Sequence, residues 1–258
     1  DQPPLQGPPG LNLSALAGFS GQGKPRPASS HGARAAFRCG QTSGKTGPGH
    51  DSAMSGQTIH AVVFDVGRVL FQWDLRHLFA KLIADPAELE WFVQAVVTEE
   101  WHFQHDAGRP LAEMVAERQA EFPDHAHLIA AYAARFNESI PGPVPGSLAL
   151  VEALAARDVP LFAITNFGAE FWAGFRPTQP VFDRFADIVV SGVERMAKPD
   201  PAIFTLAAAR FGHAPATMLF VDDNAANIAA ARALGWQVHH FRDGPALGAD
   251  LRARGLIG

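Results

Sequence analysis

The stretch HAVVFDVGRVLFQWD, residues 60–74, contains a strand of the fully buried type with a polar residue at its exit. Its run AVVF is apolar throughout, as is typical of a parallel strand covered on both faces of a sheet. Asp65 follows directly, and Gly67 comes two positions later. Packing does not require a carboxylate where a buried strand ends, so we expect Asp65 to serve a function at the edge of the sheet.

Further apolar runs of similar length alternate with helical patterns along the rest of the chain. The predicted strands are residues 59–64, 159–165, 187–191, 217–222 and 237–241. The helices predicted between the last four strands are residues 168–175, 200–211 and 225–234. Strands that alternate with helices in this way are typical of a parallel sheet with helices on both faces. We therefore predict an α/β fold with a doubly wound parallel sheet.

The interval between the first two predicted strands is too long for a single crossover connection. It shows no strand pattern and contains helical segments at residues 75–83, 86–97, 111–122 and 125–140. We predict an all-helical cap, residues 75–145, inserted into a core made of residues 58–74 and 146–258. Such a cap would cover the carboxyl ends of the strands, where ligands bind in open α/β sheets.

Residues 1–57 differ in kind from the rest of the chain. They are rich in Gly, Pro and Ser and lack hydrophobic periodicity, so we predict a disordered tail. The basic residues among them are scattered and form no cluster of the kind that binds nucleic acid. Two interpretations of this tail stay open: a targeting peptide, and an extension upstream of the natural start, which the position of Met54 favours.

The composition favours a cytoplasmic protein that neither spans a membrane nor binds nucleic acid. The chain has 258 residues, of which 47% are hydrophobic and 18% charged, with a formal net charge of -5. No apolar run approaches the roughly 18 to 20 residues of a membrane-spanning helix. The single cysteine, Cys39, cannot form an intramolecular disulfide, so the fold needs no oxidising compartment. The oligomeric state cannot be inferred from these features.

Polar residues lie at or just beyond the ends of the predicted strands. They are Asp65 after the first strand, Thr165 and Asn166 at the second, Lys198 beyond the third, and Asp222 and Asp223 at the fourth. The carboxyl ends of parallel strands lie along one edge, so these groups would meet in one crevice. Close carboxylates repel one another unless a cation lies between them, and ligation by oxygen alone suits Mg²⁺. With the lysine and the Thr-Asn pair facing the metal, the crevice would fit a phosphoryl group.

Four segments, in this order, resemble the motifs of the haloacid dehalogenase superfamily, whose members are mostly Mg²⁺-dependent phosphatases. The segments are FDVGRVL with Asp65, ITN with Thr165, KPDPAIF with Lys198, and FVDDNAANIAAARALG with Asp222 and Asp223. Each motif alone is a weak signal, but four of them at successive strand ends are specific. The resemblance covers about residues 58–255.

The resemblance implies a role for each matching residue. Asp65 would attack phosphorus and form an aspartyl-phosphate, which water then hydrolyses. Thr165 and the backbone N–H of Asn166 would bind the phosphoryl oxygens, while Lys198 would balance the negative charge. The expected substrate is a small phosphorylated metabolite that the cap selects.

The resemblance also implies a Mg²⁺ site at the Asp65 carboxylate, the Gly67 carbonyl and Asp223, supported by Asp222. Gly67 departs from the pattern of most phosphatases of the superfamily, which have at this position an aspartate that protonates the leaving alcohol. Such a general acid typically contributes about 10²- to 10⁴-fold to the rate. Some branches, including a sugar-1-phosphate phosphatase, share the D-x-G opening and are active. We therefore expect substrates whose leaving group bears negative charge well.

Two other functions stay open at this point. In a 2-haloacid dehalogenase the aspartate attacks carbon and halide leaves without a proton, so the missing acid would do no harm. Against this interpretation, dehalogenases of the superfamily do not keep a pair of aspartates in the fourth motif, whereas this chain has Asp222 and Asp223 there. The other alternative is a non-catalytic module that binds phosphate or a partner, and the retention of Asp65, Lys198 and Asp223 argues against it.

Several further residues have two interpretations. Asn224 and Asn227 fit a helix cap and a solvated helix position as well as a site. Most of the aromatic residues of this region are expected in the core: Trp73, Trp91, Phe92, Trp101 and Phe103. Trp73 and Trp101 could also face the crevice. His102 and His105 lack partners at metal-ligand spacing, and no function is predicted for them.

Overall fold

Five parallel strands form the sheet that carries the predicted site. The computed structural model of the protein describes residues 58–258, so the predicted disordered tail lies outside the described residues. The strands are β1 Ala61–Phe64, β2 Leu161–Thr165, β3 Asp187–Val190, β4 Met218–Asp222 and β5 Gln237–His240. Their order in the sheet is β3-β2-β1-β4-β5, and all neighbours are parallel. The predicted α/β fold with a parallel sheet is confirmed.

The register of the strands brings their carboxyl ends to one edge. Phe64, the last residue of β1, pairs with Ala163 of β2 and with Val221 of β4. The central strand therefore ends beside both neighbours, and Asp65 continues this pattern because its backbone N–H donates to the Val221 carbonyl at 2.8 Å. The β1 exit is the middle of the crevice.

Eleven α-helices accompany the sheet in the described part of the chain. They are α1 Arg76–Phe79, α2 Pro86–Ala95, α3 Glu99–Asp106, α4 Leu111–Glu121, α5 Ala126–Arg135, α6 Ser147–Ala155, α7 Ala169–Phe175, α8 Ser191–Glu194, α9 Pro201–Phe211, α10 Ala225–Ala233 and α11 Gly244–Ala253. Short 3₁₀ segments lie at Pro123–His125, Phe136–Ser139, Arg176–Thr178, Pro180–Arg184 and Pro215–Thr217. The first six α-helices all lie between β1 and β2.

Alternate residues of β1 divide the core into two layers. Val62 and Phe64 face one hydrophobic cluster, which also holds apolar residues of the inserted helices. Ala61 and Val63 face the other, which includes Ile203 of α9. Side chains of a strand alternate between its two faces, so an unbroken apolar run is the pattern expected of a strand with helices on both sides.

The inserted region contains the predicted helical segments and one helix that was not predicted, α3; helix α6, which follows the insertion, was not predicted either. Helix α3 has the sequence EEWHFQHD, which lacks a clear apolar stripe; Thr98 caps it by accepting a hydrogen bond from the Trp101 N–H at 3.1 Å. The described residues belong to one compact unit, so the division into cap and core stays a prediction.

Helix α3 is tied to the sheet at the edge where the strands end. The Ser191 hydroxyl, just after β3, donates to the Asp106 carbonyl at 2.5 Å and accepts from the Phe167 N–H at 2.9 Å. One hydroxyl thus joins the end of α3 to the segments after β2 and β3. This links α3 to the carboxyl ends of β2 and β3.

Two of the aromatic residues expected in the core are exposed. Trp91 of α2 is 45% exposed and Phe103 of α3 is 41% exposed. Both lie on helices whose burial cannot be read from the isolated sequence, because the partner surface comes from distant segments. No α-helix among residues 58–258 has the length and apolar character needed to cross a membrane.

Candidate active site

Asp65 is held in a fixed orientation at the exit of β1. Its Oδ1 accepts a hydrogen bond from the Val66 N–H at 2.7 Å and lies 2.8 Å from the Lys198 Nζ. The residue is only 8% exposed. The carboxylate is thus aimed by two contacts and almost sheltered from water, which limits the ways in which a reacting group can reach it.

Lys198 joins two carboxylates in the interior. Its Nζ lies 2.8 Å from Asp65 Oδ1 and 2.7 Å from Asp222 Oδ2, and the residue is 1% exposed. The Asn166 side chain fixes the lysine backbone, since its Nδ2 donates to the Lys198 carbonyl and its Oδ1 accepts from the Lys198 N–H, both at 2.9 Å. The segment after β2 therefore positions the lysine.

Both oxygens of Asp222 are already hydrogen-bonded. Oδ1 accepts from the Asn224 N–H at 2.8 Å, and the Asn227 Nδ2 donates to both oxygens at 3.0 Å. Asn224 also caps α10 by accepting from the Ala226 N–H at 2.8 Å. These contacts give Asn224 and Asn227 clear structural roles and leave Asp222 directed at Lys198.

The charge at this edge is strongly negative. Ligand oxygens of Asp65, Asp222 and Asp223 lie within 4.8 Å of one another. Burial raises the pKa of Asp65 to about 7; Lys198 opposes this rise, while Asp222 and Asp223 add to it. Burial, and then Asp222, also raises the pKa of Asp223.

Burial and the neighbouring carboxylates have opposite effects on the pKa of Lys198. Burial lowers the pKa of Lys198, but Asp222 and Asp65 outweigh burial, so the pKa is raised above its usual value. Lys198 is therefore a permanent cation and offsets one of three neighbouring carboxylates. Oxygen ligands with two excess negative charges suit a divalent cation such as Mg²⁺.

Thr165 and Asn166 occupy the neighbouring strand end. Thr165 is fully buried at the end of β2, and its Oγ1 has no hydrogen-bond partner among the described residues. A buried hydroxyl without a partner is unusual, since such groups are nearly always paired. The hydroxyl lies at the end of β2, the strand that pairs with β1, and the binding role that the resemblance implies for it stays a prediction.

A cavity of about 180 Å³ opens over these groups. Asp65, Gly67, Asn166, Lys198 and Asp223 line it, whereas the buried Thr165 and Asp222 do not. The other walls come from the loop after β1 and from the inserted helices. The sequence prediction thus brought together residues that the fold does place at one edge.

The loop between Val66 and Phe71 forms the rim of the cavity. The N–H groups of Leu70 and Phe71 donate to the Val66 carbonyl at 2.9 and 3.0 Å. Arg68 adopts a left-handed backbone conformation with φ of 59°, whereas Gly67 does not have a positive φ. A Cβ atom at Gly67 would meet nothing within 4 Å, so this glycine faces open space.

A comparison with protein families identifies the family of this chain. The model of haloacid dehalogenase-like hydrolases matches residues 59–235, which is more than half of the chain and includes every motif residue. The chain belongs to this family. The hydrolase assignment agrees with the resemblance inferred from the four motifs.

Individual relatives of this hydrolase are distant. A curated relative, sesquiterpene phosphatase astK of Aspergillus oryzae, is 25% identical over 205 residues, 76% of this chain and 96% of the relative. A solved structure of the HAD family enzyme bt-2542 of Bacteroides thetaiotaomicron, a magnesium complex, has a TM-score of 0.59 at 20% identity, covering 76% of this chain and 100% of that chain. L-2-haloacid dehalogenase of Xanthobacter autotrophicus has a TM-score of 0.56 at 20% identity, covering 78% and 85%. At this identity the two solved structures establish the shared fold alone.

The hydrolase also contains a buried polar cluster that the sequence analysis missed. His102 Nδ1 is hydrogen-bonded to the Tyr132 hydroxyl at 2.7 Å, and His102 Nε2 lies 3.2 Å from Asp106 Oδ2. Burial, and then Asp106, raises the pKa of Tyr132 well above its usual value. His102 and Asp106 line the cavity. Their i, i+4 spacing was the available signal, because residues four apart on a helix face each other.

Proposed function

We propose that this hydrolase is a Mg²⁺-dependent phosphomonoester hydrolase that acts through an aspartyl-phosphate on a small phosphorylated metabolite. The observation that carries the proposal is the buried Asp65 carboxylate, 2.8 Å from Lys198 Nζ and grouped with Asp222 and Asp223. A nucleophilic carboxylate beside one cation and two further carboxylates suits attack on a phosphoryl group whose charge a divalent metal balances.

Asp65, Asp223 and the Gly67 carbonyl would hold Mg²⁺. All three residues line the cavity, and their oxygen atoms are of the hard type that Mg²⁺ prefers. When bound, the ion would neutralise charge on the carboxylates and the phosphoryl oxygens. Asp222 has both oxygens hydrogen-bonded, so its role would be to orient Lys198 and support the site from behind.

The remaining roles belong to the residues of this chain. One Asp65 oxygen would attack phosphorus as the bond from phosphorus to the leaving oxygen breaks, and water would then hydrolyse the acyl phosphate and restore the carboxylate. Lys198 would balance the charge that collects on Asp65 and the substrate. The Thr165 hydroxyl and the Asn166 N–H would position the phosphoryl oxygens, which supplies most of the catalysis in phosphoryl transfer.

The curated relative that is named as a phosphatase supports phosphoester chemistry, because the match spans nearly all of that protein. The solved relative captured with magnesium supports the metal. A dehalogenase remains a structural neighbour. The cytoplasmic location and the absence of nucleic-acid and membrane partners stay predictions.

The test is phosphate release from a panel of phosphorylated metabolites, aryl phosphates and acyl phosphates, with Mg²⁺ or with excess chelator. We expect turnover only with the metal. Asp65→Asn should lower kcat by about 10³-fold or more, because it removes the nucleophile. Asp124→Asn, at an exposed carboxylate in Pro123–His125, is the matched control and should keep full activity.

A trapped phosphoryl group should map to Asp65 by mass spectrometry of the quenched enzyme. Halide release from 2-chloropropionate in the presence of chelator, without phosphate release from any ester, would instead establish a dehalogenase. No turnover of either class would leave the binding-module alternative.

A further inference from the structure

Six aromatic rings line the cavity that opens over the carboxylates, and together they form what we call the aromatic wall. Its rings come from the loop after β1, from α3, and from the segments that follow α5 and β2. They are Phe71, Trp73, Phe103, Phe136, Phe167 and Phe175, with Ile140 beside them. Mutually packed rings stiffen this surface: Phe71 and Phe175 lie 5.2 Å apart, and Phe167 stacks on Phe175 at 5.6 Å between centroids.

One of these rings is placed where solvent can reach it. Phe103 is 41% exposed although it lines the cavity. Exposed aromatic surface at the wall of a cavity is unfavourable in water and typically marks a place where an apolar ligand binds. Phe103 lies on α3, which Ser191 ties to the strand ends, so the ring keeps a fixed distance from the reacting edge.

The Arg68 and Gln72 side chains on this wall already have protein partners. The Arg68 guanidinium lies 4.7 Å above the Trp73 ring and donates to Glu99 at 2.5 Å. Gln72 Nε2 donates to the Pro143 carbonyl at 3.1 Å.

The His102 ring on the same wall is also engaged. Both ring nitrogens of His102 are taken, one by Tyr132 and the other by Asp106. A sugar or other polyol needs several free donors and acceptors, because unmet hydroxyls lose their hydrogen bonds to water. Among the described residues that line the cavity, the buried side-chain atoms without a partner are Trp73 Nε1 and Asp106 Oδ1. One donor and one acceptor can serve a single hydroxyl, not the several of a polyol.

We propose that the leaving group of the substrate is an apolar alcohol or phenol, seated against this aromatic wall, and that polyol phosphates are poor ligands. The inference rests on the proposed phosphatase function and deepens it. The glycine at position 67 points the same way, since a site without a general acid favours a phenol, which leaves as a stable anion.

The decisive experiment compares two ligands of the same ring size, cyclohexyl phosphate and inositol 1-phosphate, as competitive inhibitors of p-nitrophenyl phosphate hydrolysis. An inhibition constant reports binding and is independent of leaving-group chemistry. Cyclohexyl phosphate should bind about tenfold or more tightly, as expected when a hydrocarbon ring leaves water for an apolar wall. Equal or tighter binding of inositol 1-phosphate would overturn the proposal.

A variant series locates the wall. Phe103→Ala should raise KM for 2-naphthyl phosphate, relative to KM for acetyl phosphate, by about three- to tenfold, because only the former has a large apolar leaving group. Phe103→Leu should recover part of that loss. Trp91→Ala is the matched control, since Trp91 is similarly exposed, at 45%, but does not line the cavity.

An unchanged KM ratio in Phe103→Ala would contradict the proposed wall. If the proposed phosphatase function itself is wrong, the wild type will release no phosphate from acetyl, aryl or sugar phosphates. Hydrolysis of sugar phosphates with lower KM than aryl phosphates would keep the phosphatase function and refute this inference alone.

Discussion

Gly67 stands where most phosphatases of the superfamily that the sequence resembles have an aspartate. Its backbone does not adopt a positive φ, and a Cβ atom there would meet nothing within 4 Å. Neither backbone conformation nor packing therefore requires glycine at this position. By the resemblance this position would otherwise carry a proton donor, so we expect the consequence of the glycine to be chemical.

Gly67→Asp should restore a general acid without strain. We expect the variant to accelerate hydrolysis of alkyl phosphates more than of aryl phosphates, by up to about 1 to 3 kcal/mol in the activation free energy, because alkoxides need protonation and phenolates do not. The measurement is kcat/KM over a series of esters with graded leaving-group pKa. The wild type should show a steep dependence on that pKa, and the variant a shallower one.

Gly67→Asn is the matched control, because its amide has a similar shape and cannot act as the acid. Equal acceleration by Asn and Asp would show that volume matters and protonation does not. A flat leaving-group dependence in the wild type, with chemistry rate-limiting, would mean that another residue of the cavity already supplies the proton.

At the scale of elements, the central strands were predictable because their signal is local. Each is a short apolar run bounded by turn residues. A strand that is buried on both faces has apolar residues at nearly every position, and this pattern is visible in the sequence. Helix α3 was not predictable, since its sequence lacks a stripe and its position depends on distant partners: Tyr132, whose ring lies 5.0 Å from Trp101, and Ser191. The cavity wall depends on that helix and escaped prediction with it.

The site shows the same division between local and distant information. Motif order was enough to place Asp65, Lys198 and Asp222 at one edge, because parallel strands end together. It could not show that Asn227 and Lys198 occupy the Asp222 oxygens, which depends on the packing of α10 against β4. The cluster of His102 and Asp106 was likewise hidden until α3 was placed.

Gly168→Ala tests the contact between α3 and the segment after β2. A Cβ atom at Gly168 would overlap the His105 ring. That ring is 2% exposed, is hydrogen-bonded to the Arg109 carbonyl at 2.9 Å and packs 4.8 Å from Phe171, so it has little room to move. We expect a loss of about 1 to 3 kcal/mol in the free energy of unfolding, as is typical of overpacking. The measurement is the midpoint of urea unfolding.

Gly67→Ala is the control for that substitution, because it adds the same methyl group where the structure has open space. Its stability should stay within about 0.5 kcal/mol of the wild type or rise slightly. Equal stability of both variants would show that α3 does not lie against Gly168 in solution.

At the scale of the whole molecule, the site imposes a pH-dependent penalty on folding that a metal would relieve. Burial raises the pKa of Asp65 to about 7, above the value of about 3.9 for an exposed aspartate. A carboxyl group with a raised pKa binds its proton more tightly in the folded state. Its contribution to stability is therefore fully present below about pH 4 and is lost as the pH rises through about 7.

Mg²⁺ should consequently stabilise the protein more at about pH 8 than at about pH 5.5, since protons compete with the ion for Asp65 at the lower pH. At a concentration 100-fold above its dissociation constant the ion would add about 2.7 kcal/mol, which shifts the melting temperature by about 5 to 11 °C in a chain of this size. The measurement is thermal unfolding at both pH values, with NaCl of matched ionic strength as the control for screening. Asp223→Asn should lose most of the shift, whereas Asp124→Asn should keep it. An equal shift at both pH values, or a full shift in Asp223→Asn, would mean that the ion binds elsewhere and that the carboxylates at the strand ends are balanced by Lys198 alone.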